Sequence, residues 1–348
     1  MKKNIILFAV LLVLGVAAWL VYAKQSTNTI ESSDVADFAI EDTASINKII
    51  ITDQLGVRAK IERIPGNKLW KLNDKYFARE DAVSLLLKTF NRIRIRGNVS
   101  DKARENMMKL LVTSSKKVEI YTGGKEPAKI YYVGAATPDH TGTHMLLEIP
   151  GVGRSKDPYI THMDGFSGFL TTRFFTSEME WRYTGIFEYP NLEFKRIRVV
   201  NHILPSESFE VKYGGNNDIR LFDGYDAAST SFSKEESSFD TLAVKQFMLL
   251  FKKVHVESFN TLLDAEKQNA ILSSTPTFTI SVEENSGAIN SIDLYLRPAT
   301  TTTYDENGNV NPWDVGHYWA RTKDNELAIA QTFNFGPMVN AVGFYLKR

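Results

Sequence analysis

The hydrophobic pattern of the chain changes character once, close to its start. Residues 5–23 form an unbroken apolar run behind Lys2 and Lys3, ending at Lys24. A transmembrane helix needs about 20 apolar residues, whereas a cleavable signal core has about 7–15. The pattern therefore predicts an uncleaved N-terminal transmembrane helix over 1–24, its basic flank cytoplasmic and Trp19 and Tyr22 at the distal interface. Cleavage after Ala23 is the competing reading, since Val21 and Ala23 satisfy the small-residue rule. Residues 25–43, rich in small polar and acidic side chains at their start, read as a tether. Beyond them the apolar residues alternate as in strands or recur at helical spacing, and no second long apolar run follows.

That alternation occurs twice. The helix-like segment 82–90, followed by Ile93 and Ile95, matches 243–251, followed by Val254 and Val256, at an offset of 161 residues. Glu105 with Glu266, and Leu110-Leu111 with Ile271-Leu272, keep the same offset through a second short helix. Upstream, 46–51 parallels 194–199, and 59–63 parallels 209–213. Downstream, 117–121 and 130–133 correspond to 277–282 and 292–296, then 142–146 to 315–319, and the closing segments 164–169 to 333–338. Each copy reads as strands, a helix, then more strands. The prediction is an α+β protein: the N-terminal helix, then two tandem copies of an antiparallel sheet with a packed helix, at 44–180 and 181–348. In the second helix Leu242, Phe247, Leu250, Phe251 and Val254 are expected to form the buried face, and Trp181-Arg182-Tyr183 to pack between the copies.

Composition removes much chemistry. There are no cysteines, which excludes disulfides, thiolate metal sites and a cysteine nucleophile. Lys and Arg number 41 against 41 Asp and Glu, and this balance gives no reason to expect nucleic acid as a partner. His140 and His144, four apart with Asp139 beside them, would share a face on a helix as metal ligands. Gly134, Pro138 and Gly142 make the region a loop entering a strand, so a structural or surface role is expected, for His317 at the matching place as well. The run from Asp305 to Asn311 starts like a calcium loop but has Val310 and Gly316 where Gly and Glu belong, and Asn307-Gly308 reads as a hairpin turn. Gly123-Gly124-Lys125 is a turn and no phosphate loop, and Gly165-Phe166-Ser167-Gly168 lacks the nucleophile-elbow spacing. Arg92-Ile93-Arg94-Ile95-Arg96 reads as a strand edge guarded by charge, with anionic headgroups or an acidic partner as the other reading. No residue is assigned as catalytic, cofactor-binding or metal-binding, no cofactor is expected, and the chain is expected not to be an enzyme.

The chain resembles domain-of-unknown-function family 4340. The residues that carry the likeness are 37–43 leading into Ile46-Asn47-Lys48-Ile49, Leu69-Trp70-Lys71-Leu72-Asn73 before Tyr76-Phe77-Ala78-Arg79, the 82–90 helix, and Glu180-Trp181-Arg182-Tyr183. The resemblance implies a single-span inner-membrane protein with its repeats in the periplasm, beside auxiliary subunits of gliding-type ABC transporters. The expected function is thus a membrane-anchored, extracytoplasmic, non-catalytic accessory or scaffold with envelope protein partners. The alternatives are a periplasmic glycan- or peptide-binding module, suggested by Trp181, Trp313 and Trp319, and an envelope hydrolase built on Asp139, His140 and His144.

Overall fold

The computed structural model describes residues 35–347 apart from 216–217, 260–261 and 305–306. The apolar run over 5–23 lies outside the described residues; among those described, no helix is long and apolar enough to cross a membrane. The chain divides into two compact units between Tyr183 and Thr184.

The first unit contains β1 (Lys48–Thr52), β2 (Arg58–Glu62), β3 (Lys71–Leu72), β4 (Tyr76–Phe77), α1 (Glu80–Arg92), β5 (Ile93–Asn98) and α2 (Asp101–Ser114). It continues with β6 (Lys116–Tyr121), β7 (Lys129–Ala136), β8 (Thr143–Ile149), β9 (Gly153–Arg154), β10 (Tyr159–Met163) and a short α3 (Glu178–Trp181). The sheet order is β4-β3-β2-β1-β6-β7-β8-β10-β5, with β9 paired to β8, and the pairings are antiparallel. Helix α1 starts with Glu80 and Asp81, which complement its N-terminal dipole, and buries Ala82, Val83, Leu86 and Phe90 at helical spacing. That stripe joins Ile49, Ile51, Val118, Ile120, Tyr131 and Val133, the alternate positions of the sheet's inner face, in one core. Helix α2 lies on the opposite face, where Gly134 makes room for it. A Cβ at that position would come within 2.5 Å of Leu111 Cδ2.

The second unit repeats the plan. Its elements are β11 (Gly185–Phe187), β12 (Phe194–Asn201), β13 (Phe209–Tyr213), β14 (Ile219–Asp226), β15 (Ser231–Glu235), α4 (Thr241–Leu249), β16 (Val254–His255) and α5 (Ala265–Leu272). The chain ends with β17 (Phe278–Glu284), β18 (Ile289–Tyr304), β19 (Val310–Thr322), β20 (Leu327–Gln331) and α6 (Thr332–Phe335). The order β15-β14-β13-β12-β17-β18-β19-β20 matches β4-β3-β2-β1-β6-β7-β8-β10 of the first sheet; the counterpart of β5, β16, pairs with β11 in a separate two-stranded ribbon, and β9 has no counterpart among the described residues. The Asp240 side chain caps α4 by accepting from the N–H groups of Leu242 and Ala243, and Asp264 caps α5 through Lys267 N–H. Helix α5 packs against Tyr295, Trp319 and Leu327 on the face away from α4, as α2 does in the first unit. The α+β class and the two antiparallel sheets agree with the sequence pattern.

Four details differ from it. The cap at Asp240 sets the phase of α4 so that Leu242 points outward at 65% exposure, and Val244 and Met248 take the buried places with Phe247 and Phe251. The closing segments are also shifted: Phe166 is exposed while Leu170 and Phe174 enter the first core, as Phe335 and Met338 enter the second. At the other end, the stretch expected to be a tether is already core by Phe38 and Ile40, with Ile40 N–H donating to Phe90 O at 2.9 Å and Lys129 Nζ to Asp37 O at 2.6 Å. Finally, Trp181 is fully buried inside the first unit's core and Arg182 lies over the Tyr76 ring at 3.9 Å, so this motif closes the first unit and does not open the second.

Candidate functional site

The Asp139, His140 and His144 group does not converge. The segment from Thr137 to Gly142 is a tight loop closed by Thr137 N–H to Gly142 O at 2.9 Å and His140 N–H to Thr137 O at 2.8 Å. Asp139 is its organiser: its carboxylate accepts from the hydroxyls of Thr137 and Thr141, each at 2.5 Å, and lies 3.5 Å from Arg96. His140 has a positive φ of 56° and turns its ring toward Phe169, centroids 5.8 Å apart. His144 is buried on β8, with Nδ1 donating to Ala135 O at 3.2 Å. Each group is thus occupied locally. Among the described residues, no set of three or more His, Asp or Glu side chains is arranged to hold a metal ion.

The Asp139 carboxyl is held well below the usual carboxylate range by the Thr137 hydroxyl first, then by the hydroxyl and N–H of Thr141. A depressed carboxyl stabilises the folded loop above its unfolded value near 3.8, and that contribution is lost as the pH falls below it. The Asp139→Asn variant is therefore expected to have a lower Tm at pH 7 and to converge with the parent in strong acid. A Tm difference independent of pH would contradict this.

The matching histidine, His317 on β19, sits between two carboxylates, with Nε2 3.1 Å from Glu257 and Nδ1 3.2 Å from Asp314, which also lies 3.6 Å from Arg297. Burial opposes ionisation of Asp314, but the Gly316 N–H, His317 and Arg297 outweigh it and hold the carboxyl below its ordinary value. Of the tryptophans considered for stacking, Trp181 and Trp319 are buried and Trp313 is exposed, so no aromatic platform is assembled from the three. Residues 305–306 of the calcium-like run lie outside the described residues; 307–309 lie in the β18–β19 turn, where Gly308 has a φ of +79°, and Val310 and Asn311 already belong to β19. Arg94 and Arg96 stand on β5, the edge strand of the first sheet, paired with Asp164 and Asp139.

Two clefts stand out on the outer sheet faces. In the first unit a cleft of about 410 Å³ lies between the end of α2 and the sheet, floored by Tyr132 and Leu146 and walled by Leu111. Its charges cancel locally: Lys117 Nζ meets Glu119 at 2.9 Å, and the Tyr132 hydroxyl donates to Glu148 at 2.8 Å. In the second unit a cleft of about 330 Å³ is lined by Lys195, Arg196, Lys212 and Arg220, with Tyr213, Gly214 and Glu283. Beneath it lies Glu210, only 2% exposed on β13. Its carboxylate is 2.5 Å from Arg198 Nε, 3.3 Å from Lys212 Nζ and 3.6 Å from Arg196. A buried carboxylate with three cationic neighbours fixes where those cations stand. Nothing in the linear sequence marks this group, because its members come from separate strands and meet only through the register.

No protein-family model matches the chain, and no curated protein matches it.

Proposed function

We propose that the chain is a membrane-anchored, extracytoplasmic accessory or scaffold protein of an ABC-type envelope transport complex, acting by binding and not by catalysis. The anchor is the apolar run over 5–23, oriented by Lys2 and Lys3, which puts the two units in the periplasm. The observation that carries the reading is this run standing ahead of a duplicated α+β unit: one plan of sheet and two helices occurs twice, giving two tethered units, each with its own version of the same surface. The resemblance to domain-of-unknown-function family 4340 supports the transporter context.

The test is crosslinking in intact cells followed by detergent solubilisation and identification of what co-purifies with the full chain. Recovery of an ABC permease or its auxiliary subunit is expected. Recovery of the chain alone, as a soluble form beginning at Lys24, would overturn the reading.

A further inference from the structure

We propose that the outer face of the second unit's sheet is a binding site for a small ligand carrying at least two oxyanionic groups, of phosphate or carboxylate type, held by Arg196, Lys212 and Arg220 with Lys195. This goes beyond the scaffold role and does not depend on it.

The first observation is the register. Arg196 on β12 stands directly opposite Lys212 on β13, and Lys212 directly opposite Arg220 on β14. Three cations in line across adjacent strands, about 4.8 Å apart, repel one another. The equivalent row of the first unit avoids this: Lys48 faces Glu62, which faces Lys71, so the signs alternate. The neighbouring position is reversed as well, with Lys60 in the first unit where the second has Glu210. In the first unit Lys60 holds Glu62 at 3.0 Å and Asp74 at 2.9 Å. One scaffold therefore carries two charge patterns, and the second leaves like charges side by side.

The second observation is a bulge. Regular alternation would send Lys195 inward between Phe194 and Ile197, both core residues. Instead the register of β12 against β17 slips between Phe194 and Arg196, and the extra residue, Lys195, turns outward and lines the same cleft. Bulges re-aim side chains in this way. The first unit has the same inward–outward order at the corresponding positions, with Ile46 in the core and Asn47 exposed, but there the outward residue is uncharged and Lys48 rests over the Tyr121 ring at 3.9 Å.

Three acids lie near the cations. Glu283 pairs with Arg196, Asp218 lies 3.8 Å from Arg220, and Glu210 is drawn under the row. The lining itself still holds four cations against the single acid Glu283. Arg196 and Lys212 are partly exposed and Arg220 is half exposed, so their outward N–H groups can reach a ligand. The planar guanidinium forks suit bidentate contact with an oxyanion, and a charge on the ligand would relieve the repulsion within the row.

The test is calorimetric titration of the full chain in detergent with inorganic pyrophosphate and with tricarballylate, beside phosphatidylglycerol vesicles. The variants are Arg220→Ala, on an exposed turn-proximal position, and Lys212→Met, which removes the ammonium held over the Phe222 ring at 4.1 Å and keeps an unbranched apolar side chain. Saturable binding of one free anion per chain is expected, weakened at least about tenfold in the double variant and by added salt. Stronger pyrophosphate binding would assign a phosphate ligand, and stronger tricarballylate binding a carboxylate; either supports the proposal. No saturation by either, equal binding by the double variant or by Arg220→Ala, or binding to vesicles alone would overturn it.

Discussion

Phe90→Ala and Phe251→Ala are expected to destabilise the protein by similar amounts, about 3–5 kcal/mol each, the range for truncating a buried phenylalanine. The two residues stand at equivalent places, separated by the 161-residue offset, and both are fully buried. Phe90 meets the Tyr131 ring at 5.8 Å and Phe174 at 6.3 Å. Phe251 meets Phe187 at 5.1 Å, Phe247 at 5.3 Å and Phe194 at 6.4 Å. Each phenylalanine belongs to a different core cluster. Hydrogen exchange should therefore rise in β1, β6 and β7 for Phe90→Ala, and in β12, β17 and β18 for Phe251→Ala. Urea unfolding followed by circular dichroism gives the magnitude. A loss below 1 kcal/mol in either variant, or exchange raised in the opposite set of strands, would contradict the equivalence.

The repeat that makes these residues equivalent was legible because burial imposes periodicity. A helix covering a sheet must place apolar side chains at 82, 83, 86 and 90, and its copy must do the same at 243–251. The strands were legible for the same reason: Val118 and Ile120 alternate with Lys117 and Glu119, and the β-branched run Ile49-Ile50-Ile51 is bounded by Lys48 and Thr52. The phase of α4 was harder to read, because it is set by a side-chain cap at Asp240 and not by the apolar spacing. The cationic row was not legible at all. Arg196, Lys212 and Arg220 are ordinary exposed-looking residues of three strands until the pairing sets them opposite one another. The outward turn of Lys195 depends on a one-residue slip against β17. Periodicity reports which residues are inside, whereas a site on a sheet face depends on which outside residues become neighbours.

Trp181→Ala is expected to have the largest effect of any single truncation in the first unit, at the upper end of about 3–5 kcal/mol, because it removes more than a buried ring. The indole is fully buried, 4.3 Å from the Phe175 ring, and its Nε1–H donates to Phe175 O at 2.8 Å. The backbone on either side is tied in too: Trp181 O accepts from Arg79 N–H at 2.7 Å, and Tyr183 N–H donates to Phe77 O at 2.8 Å. The ring therefore fastens the last segment of the unit to the residues just before α1, so its loss leaves a cavity and loosens the start of the helix that covers the sheet. Trp181→Phe separates the two contributions. It restores most of the apolar contact but not the hydrogen bond, and the carbonyl of partly buried Phe175 would lose a partner, a loss of about 1–3 kcal/mol. Recovery of at least half the lost stability in Trp181→Phe is expected by urea unfolding. Recovery of none would mean that the hydrogen bond, and not the packing, holds the segment in place.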